Sequence, residues 1–221
     1  ESMRNRISRL RDRATELEIL INEDLFSSAR VIASTLVSSN HRILEGRRFS
    51  TLFIDEAAQA LEAACWIAIR KADRVIFAGD HCQLPPTIKC IEAARGGLDQ
   101  TLMEKVVTNK PVSVSLLKVQ YRMNEAIMRF PSEWFYNNQL ESAPEVRHRG
   151  ILDYDTPMVW IDTSELEFHE EFVGESFGRI NKPEADLLIQ ELKNYIQRIG
   201  ENRVFDERID FGLISPYKAQ V

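Results

Sequence analysis

The sequence predicts an α/β fold built on parallel β-strands. One observation is a β-α-β pattern, in which apolar strands at residues 51–54 and 74–78 flank a helical run over residues 61–69. Another is that polar residues directly follow both strands, at the carboxyl edge where open α/β sheets bind ligands. Strand and helix candidates alternate again after residue 112, so a second α/β unit is expected.

The segment before this pattern begins with a helix. Residues 1–22 place apolar side chains at three- and four-residue steps with charges between them, which is typical of an amphipathic helix. Residues 31–33 then predict a short buried strand, and a hydroxyl-rich stretch follows at residues 34–40.

The second half of the chain continues with further strands and helices. Short apolar runs predict strands at residues 112–119, 158–161 and 211–214. Between the first two, residues 123–136 carry an apolar face at helical spacing and predict a helix.

Helix-start signals mark two later positions. Asn181 and Glu184 have the spacing of a capping box before a long helix with an apolar face. Ser215 is a good N-cap and Pro216 suits the first helical position, so another helix is predicted there. A chain that begins within one helix and ends at the start of another is expected to be part of a longer protein.

Composition limits the class of protein. Of 221 residues, 44% are hydrophobic and 28% charged, which predicts a folded globular protein. The apolar runs are short, and the first residues lack the apolar core of a signal peptide. We therefore expect an intracellular protein, in the cytoplasm or nucleus, with no membrane partner. The three cysteines are scattered and odd in number, which fits reduced thiols.

The charge distribution argues against a simple basic nucleic-acid-binding module. The net charge is −6, whereas phosphate neutralisation by cations supplies most non-specific affinity for nucleic acid. Arginines nevertheless crowd residues 4–13, and a second basic spot lies at residues 147–149. Each cluster indicates either part of a basic stripe or an ordinary solvated face.

Two carboxylates stand at the end of the first strand of the β-α-β pattern. Residues 51–54 lead directly into Asp55 and Glu56. In a nucleoside triphosphatase such an acid holds Mg²⁺, and a neighbouring carboxylate can position and deprotonate the attacking water. The alternative is that both residues cap the helix that follows.

The second strand delivers polar groups to the same predicted edge. Residues 74–78 end in Gly79 and Asp80, and Gln83 follows. Gly79 permits a tight turn, Asp80 can shape a metal shell, and the Gln83 amide can touch phosphate or water. Each residue alone would be an ordinary turn residue. Two such strand ends together favour a ligand site.

Four motifs carry a resemblance to a known family. They are IDEAAQ at 54–59, GDHCQLPPT at 79–87, QYRM at 120–123 and SPYKAQ at 215–220. In this order they resemble superfamily 1 helicases of the 5′-to-3′ translocating branch, the group of the nonsense-mediated-decay helicase, the immunoglobulin mu-binding helicase and senataxin. The resemblance covers nearly the whole chain.

The resemblance implies a RecA-like P-loop NTPase fold with two tandem, incomplete RecA-like domains that have parallel sheets. Residues 1–118 would be the C-terminal part of the first domain, with the end of an inserted helical stalk at 1–22. Residues 119–221 would be the N-terminal part of the second. The family's activity implies ATP and Mg²⁺ as ligands and single-stranded DNA or RNA as partner.

Roles at the nucleotide site follow from the same resemblance. Asp55 would hold Mg²⁺ and Glu56 would be the general base. Gln59 and Asp80 would contribute to the nucleotide site. Gln83 would sense the γ-phosphate and couple it to the nucleic-acid path.

In QYRM, the resemblance implies that Tyr121 stacks on the adenine and that Arg122 is an arginine finger. A ring face suits a base, and a planar guanidinium suits a phosphoryl transition state. The alternatives are a buried core ring for Tyr121 and a surface ion pair for Arg122.

Nucleic-acid contacts are implied at two further places. Ser34 and Thr35 match the family's strand-end motif that holds the nucleic-acid backbone, although they can equally be local turn formers. Tyr217 and Lys218 match the family's second-domain motif that lies near the nucleic-acid strand, although Lys218 can also be an exposed residue at a helix start.

The sequence contains no match to G-x-x-x-x-G-K-[ST], the loop that cradles the β- and γ-phosphates. The chain alone is therefore expected to bind ATP poorly and to be inactive. One explanation is that it is a fragment of an active helicase. The others are a degenerate RecA-like scaffold and a nucleotide hydrolase that does not translocate. The combination of Asp55, Glu56, Gln83 and Arg122 favours the first.

Overall fold

The structure is a computed structural model, and it describes residues 3–153, 155–174 and 178–221. The chain divides into two compact units, Glu1–Ser115 and Leu116–Val221. In the first unit the helices and strands are α1 (Met3–Ser28), β1 (Leu52–Ile54), α2 (Glu62–Ile69), β2 (Val75–Phe77), α3 (Ile91–Ala93) and α4 (Leu102–Asn109). Short 3₁₀ turns cover Ser38–Asn40, Arg42–Leu44, Ala57–Gln59 and Pro111–Ser113, and a π-helical turn covers Ala94–Leu98.

In the second unit the elements are β3 (Val119–Gln120), α5 (Glu125–Phe135), β4 (Glu141–Ser142), α6 (Pro144–Arg147), β5 (Glu171–Val173), β6 (Gly178–Ile180), α7 (Lys182–Ile199) and α8 (Glu201–Asp206). Among the described residues, no helix combines the length and apolar character needed to cross a lipid bilayer.

The predicted β-α-β unit is confirmed in the first unit. β1 and β2 pair in parallel, with Leu52 opposite Val75 and Ile54 opposite Phe77. The helix α2 between them buries Cys65 and Ala68. Because side chains alternate along a strand, Leu52 and Ile54 share one face, where Ile54 joins Ala57 and Cys65 in a buried cluster.

The first helix is longer than predicted. It continues to Ser28, and its predicted apolar face is not covered by any described part of the chain, since no residue of α1 is buried. Its carboxyl end is held by Arg47, whose guanidinium donates to the Phe26 carbonyl at 3.1 Å and to Ser27 Oγ at 3.4 Å. A cation at a helix C-terminus is favourable because it faces the negative end of the helix dipole.

Four of the strand predictions were wrong in whole or in part. Residues 31–33, 158–161 and 211–214 form no strand, and of residues 112–119 only Val119 lies in one, as part of β3. A strand needs a neighbour that accepts and donates its backbone hydrogen bonds. None of the described residues pairs with these apolar runs, and Ile214 is 92% exposed.

The second unit contains one parallel and one antiparallel pair. β3 and β4 pair in parallel, with Gln120 opposite Ser142, whereas β5 and β6 form an antiparallel pair that the prediction of parallel sheets did not include. The predicted helix over 123–136 is confirmed as α5. Its core contacts come from Met128 and Ser132, which are both buried.

The two predicted helix starts differ in outcome. Half of the capping box expected at Asn181 forms, because its side chain accepts a hydrogen bond from the Glu184 amide at 3.2 Å, whereas its own amide donates to Gln220 and not to Glu184. The helix predicted from Ser215 is absent. Residues 216–220 form a bend and turn, in which the Ser215 hydroxyl accepts from the Tyr217 amide. The Gln220 side chain is committed instead to Asn181, to which it makes two hydrogen bonds of 2.8 Å each.

Candidate functional site

The backbone hydrogen bonds between β1 and β2 extend beyond the ends of these two three-residue strands. The parallel ladder continues past both strands, since Ala78 N donates to the Ile54 carbonyl and Ala57 N donates to the Ala78 carbonyl, each at 2.9 Å. Asp55 and Glu56 lie between these two bonds on one chain. On the other strand, Gly79 and Asp80 directly follow Ala78, so the acidic end of β1 and the polar end of β2 are adjacent.

Glu56 adopts a left-handed backbone conformation, with φ 50° and ψ 38°. This region costs a non-glycine residue about 1–2 kcal/mol, because Cβ crowds the following carbonyl. The surrounding bonds hold it there: the Glu56 amide donates to Asp55 Oδ1 at 3.0 Å, and its carbonyl accepts from Gln59 N at 2.9 Å. Strain of this kind is concentrated at functional sites, where it fixes the direction of a side chain.

The residues that follow β1 and β2, 55–59 and 79–83, are called the rim. At the rim, position 79 must be glycine because there is no room for a Cβ atom. A Cβ built on it would lie 2.9 Å from Ala57 N, 3.1 Å from Met103 Sδ and 3.2 Å from Ala58 N. Two of these neighbours are backbone atoms, and one of them, Ala57 N, donates the hydrogen bond to the Ala78 carbonyl. The absence of a side chain at Gly79 therefore allows the two strand ends to approach each other.

Gly79→Ala is expected to lower the free energy of unfolding by about 1–3 kcal/mol, because the backbone must shift to accept the methyl group. Urea unfolding followed by circular dichroism measures this change. Gly96→Ala is the matched control, since a Cβ there meets nothing within 4 Å and its backbone needs no positive φ. A Gly79→Ala variant as stable as the Gly96→Ala variant would contradict the close approach.

Asp80 organises the turn after β2. Its Oδ1 accepts from the Cys82 amide at 3.0 Å, and its Oδ2 accepts from Gln83 Nε2 at 2.8 Å. The Gln83 side chain is thus turned back toward the strand end and remains exposed to solvent. Gln59, also exposed, ends the 3₁₀ turn that follows Glu56.

The oxygen atoms at the rim fit a hard divalent cation. Asp55 is exposed at the strand end, and its Oδ2 forms no hydrogen bond with any described residue. Carboxylate oxygen is the ligand type that Mg²⁺ prefers. Asp80, His81 and Cys82 also bring three ligand atoms within 4.8 Å of one another. Burial and then the charge of Asp80 raise the pKa of the Cys82 thiol, which disfavours the thiolate that a soft metal needs.

Ser34 and Thr35 lie on the exposed loop after α1. The Ser34 hydroxyl donates to the Thr35 carbonyl at 3.1 Å, and Thr35 Oγ1 accepts from the Ser38 amide at 3.1 Å. Both hydroxyls are therefore used within the local turn, which is the alternative that the sequence left open. Their predicted role toward nucleic acid stays a prediction.

In the second unit, a hydrogen-bonded turn presents Tyr121 and Arg122. Tyr121 is 63% exposed, so its ring is not part of a core. Within the described chain, the Arg122 guanidinium has no ion-pair partner. Neither structural alternative for these two residues is therefore observed.

The turn depends on Gln120, to which the sequence reasoning assigned no role. Its Oε1 accepts from the amides of Arg122 and Met123, and its Nε2 donates to the Met123 carbonyl and to Ser142 Oγ, at 2.7–2.8 Å. The Arg122 carbonyl accepts from Arg149 Nη1 at 3.1 Å. Only an amide side chain offers both the two acceptor positions and the two donor positions used here. In the sequence, the only sign of this role was the Gln directly before Tyr121 and Arg122.

Gln120→Ala is expected to lower the free energy of unfolding by about 1–3 kcal/mol, since two backbone amides and the buried Ser142 hydroxyl lose their partner. Thermal or urea unfolding of the chain measures the loss. The exposed Gln139→Ala is the control. Equal stability of the two variants would show that the turn does not depend on this amide.

Tyr217 and Lys218 lie on the turn after residue 214. The Tyr217 ring faces the Arg179 guanidinium, whose central carbon is 5.8 Å from the ring centroid. Lys218 is exposed. The same turn packs closely on β6, because a Cβ on Gly178 would lie 2.7 Å from Ala219 Cβ.

Comparison with known proteins gives consistent matches. Two family models, each described as an AAA domain, match residues 1–90 and 98–221. DNA-binding protein SMUBP-2 of Mesocricetus auratus is 35% identical, over 100% of this chain and 23% of its own length. A protein named as an uncharacterized ATP-dependent helicase of Methanocaldococcus jannaschii is 32% identical over 98% of this chain and 33% of its own.

A third relative, the regulator of nonsense transcripts 1 homolog of Arabidopsis thaliana, is 35% identical over 94% of this chain and 16% of its own length. The chain thus spans one third or less of each of these relatives. The parallel β-α-β unit and the AAA domain matches define the chain as a P-loop NTPase. Within that class, it belongs to the superfamily 1 helicase family, in the nonsense-mediated-decay and immunoglobulin mu-binding group.

Proposed function

We propose that this chain is the central part of an ATP-dependent helicase or translocase that moves on single-stranded DNA or RNA. The observation that carries the proposal is the parallel pairing of β1 and β2, which sets Asp55 and Glu56 beside the turn of Asp80 and Gln83. Two strand ends that deliver carboxylates and an amide to one edge are the arrangement that a nucleotide site needs.

The domain organisation is part of the proposal. Residues 1–118 are assigned to a first RecA-like domain, with residues 1–22 as the end of a helical stalk. Residues 119–221 are assigned to a second RecA-like domain. The parallel pairs β1–β2 and β3–β4, one in each segment, support this assignment.

The rim of the first unit supplies the groups for hydrolysis. Mg²⁺ bound with ATP would supply positive charge toward the phosphate oxygens. Asp55 has an exposed carboxylate to hold that ion, and Glu56 has an exposed carboxylate that can accept a proton from the attacking water. Gln83 is oriented by Asp80 and can contact the γ-phosphate, and Gln59 lies on the same rim.

The exposed turn of the second unit supplies two further groups. The Tyr121 ring has a free face for stacking on adenine. The Arg122 guanidinium would stabilise charge on the phosphoryl group during transfer, as a planar, permanently charged donor can.

Contacts to the single-stranded nucleic acid are assigned to its sugar-phosphate backbone and not to its bases. Ser34 and Thr35 would contribute in the first unit, and Tyr217 and Lys218 in the second. All four residues are exposed. Strand movement would follow if ATP binding and hydrolysis change the affinity of these contacts.

The test is ATP hydrolysis by a full-length protein that contains this chain together with a phosphate-binding loop. Turnover is measured alone and with single-stranded DNA and RNA side by side. We expect hydrolysis that requires Mg²⁺ and rises when a strand is added. Hydrolysis that neither strand stimulates would contradict translocation, and absence of hydrolysis would contradict the motor itself.

A further inference from the structure

A basic cavity lies in the first unit at the amino ends of β1 and β2, which is the sheet edge away from Asp55 and Glu56. Its volume is about 450 Å³. Of its eight lining residues, five are cationic and one is a carboxylate, Glu45; the cations are Arg42, Arg47, Arg48, Arg70 and Lys71. No residue of this cavity belongs to the motifs from which the nucleotide site was inferred.

Most of this positive charge is not neutralised by acids. Arg48 pairs with Asp73 at 2.6 Å. Arg47 and Lys71 donate to backbone carbonyls, which fixes their side chains but leaves their charge uncompensated. Within the described residues, the side chains of Arg42 and Arg70 form no hydrogen bond or ion pair. A concave surface of uncompensated cations concentrates anions.

A second cavity adjoins the first and shares Asn40 and Arg70 with it. Its volume is about 220 Å³, and its remaining lining residues are Ala63, Trp66 and Ile67. Ala63, Trp66 and Ile67 lie on one face of α2 because each of the latter two is three or four positions from Ala63, and Arg70 caps the carboxyl end of the same helix. An apolar surface with an aromatic ring thus borders the basic cavity directly.

Trp66 is oriented rather than loosely exposed. Its indole Nε1 donates to Glu62 Oε1 at 3.2 Å, and Glu62 also accepts from Lys105. The hydrogen bonds from Lys105 and then from Trp66 lower the pKa of Glu62, which keeps this acceptor charged. The ring nevertheless remains 48% exposed. Its position is therefore fixed while much of its surface stays available for stacking.

We propose that the two cavities together bind one phosphorylated nucleotide unit, with the base against Trp66 and the phosphate between Arg42 and Arg70. Aromatic stacking combined with neighbouring cations is the chemistry by which single-stranded nucleic acid is held without sequence preference. A unit within a strand is favoured over a free mononucleotide, because five cations exceed what one phosphate needs. The site lies on unit 1 alone and is independent of the proposed ATP hydrolysis.

Binding of the chain to fluorescein-labelled oligothymidylate and oligouridylate tests the site, with fluorescence anisotropy measured at several salt concentrations. Trp66→Ala is expected to weaken binding roughly 5- to 100-fold through loss of one stacked base, whereas Trp66→Phe should retain most of it. The double variant Arg42→Glu and Arg70→Glu should lower affinity further and reduce the salt slope by about 1, since one phosphate loses its cations. Arg95→Glu, an exposed charge reversal outside both cavities, is the control.

Circular dichroism melts of each variant show whether the fold is kept, which is expected because the altered side chains are exposed. The site would be overturned if the chain binds neither strand at low salt. It would also be overturned if the Trp66→Ala and double-arginine variants bind as the Arg95→Glu variant does. Competition with adenosine monophosphate tests whether a free mononucleotide is the occupant. If adenosine monophosphate displaces the oligonucleotide at a concentration equal to that of the oligonucleotide's own nucleotides, the single strand is not the preferred ligand.

Discussion

Glu56→Gln is expected to lower ATP turnover by about 10²- to 10⁴-fold in a full-length protein that carries this chain, while ATP binding persists. The amide has nearly the size of the carboxylate but cannot accept the proton of the attacking water. Turnover with a single strand present and binding of a fluorescent ATP analogue are the two measurements. A loss of turnover without a loss of binding is the signature of a removed general base.

The structure separates this prediction from a folding defect. Glu56 is exposed, and within the described residues its carboxylate forms no hydrogen bond, so its replacement removes no contact. The left-handed backbone is imposed by neighbouring bonds and not by the carboxylate. Thermal stability should therefore match that of Glu133→Gln, an exposed control. Turnover of Glu56→Gln at the level of that control would refute the assignment of the base.

Arg122→Ala is expected to have the larger effect, a loss of about 10³- to 10⁵-fold in ATP turnover, which is the range for removal of an arginine finger. The planar guanidinium can meet two phosphate oxygens at once. Arg122→Lys keeps the charge but not this fork, so it should restore only part of the rate. The measurement is again single-strand-stimulated hydrolysis at saturating ATP.

The matched control for this variant is Arg129→Ala, an exposed arginine on α5 in the same unit. Arg122 takes part in its turn through backbone atoms, which Gln120 and Arg149 hold, so the alanine variant should keep its fold. Equal hydrolysis by the two variants would show that Arg122 does not act on the nucleotide. Unfolding of Arg122→Ala alone would show that its side chain is structural.

The elements that the sequence predicted correctly are those with a signal inside the segment itself. The helical spacing of α5 and the capping of α7 by Asn181 require only local contacts, and both are confirmed. The β1 and β2 strands were found because polar residues follow each one and a helical run separates them. The apolar runs at 31–33 and 211–214 have strand-like composition but no backbone partner among the described residues, and a strand cannot exist without one.

Part of the candidate site was visible in the sequence. The placement of Asp55 and Glu56 at a strand end follows from residue order, whereas Tyr121 and Arg122 were singled out only by the resemblance of QYRM to the helicase family. The role of Gln120 did not follow, because three of its hydrogen bonds shape the turn at Arg122 and Met123, while the fourth reaches Ser142, which only the pairing of β3 with β4 brings close. The basic cavity also remained hidden, since it combines residues 40–48 with the distant end of α2.

The sequence by itself determined which chemical groups this protein has and in what order, and that order was sufficient for the family. Only the tertiary structure decided which groups are neighbours. The ladder beyond β1 and β2 needs the missing side chain of Gly79, and the basic cavity joins residues 40–48 to Arg70 and Lys71, which are distant from them in the chain. The physical reason is that backbone pairing and cavity shape depend on contacts between distant segments, which no local pattern specifies.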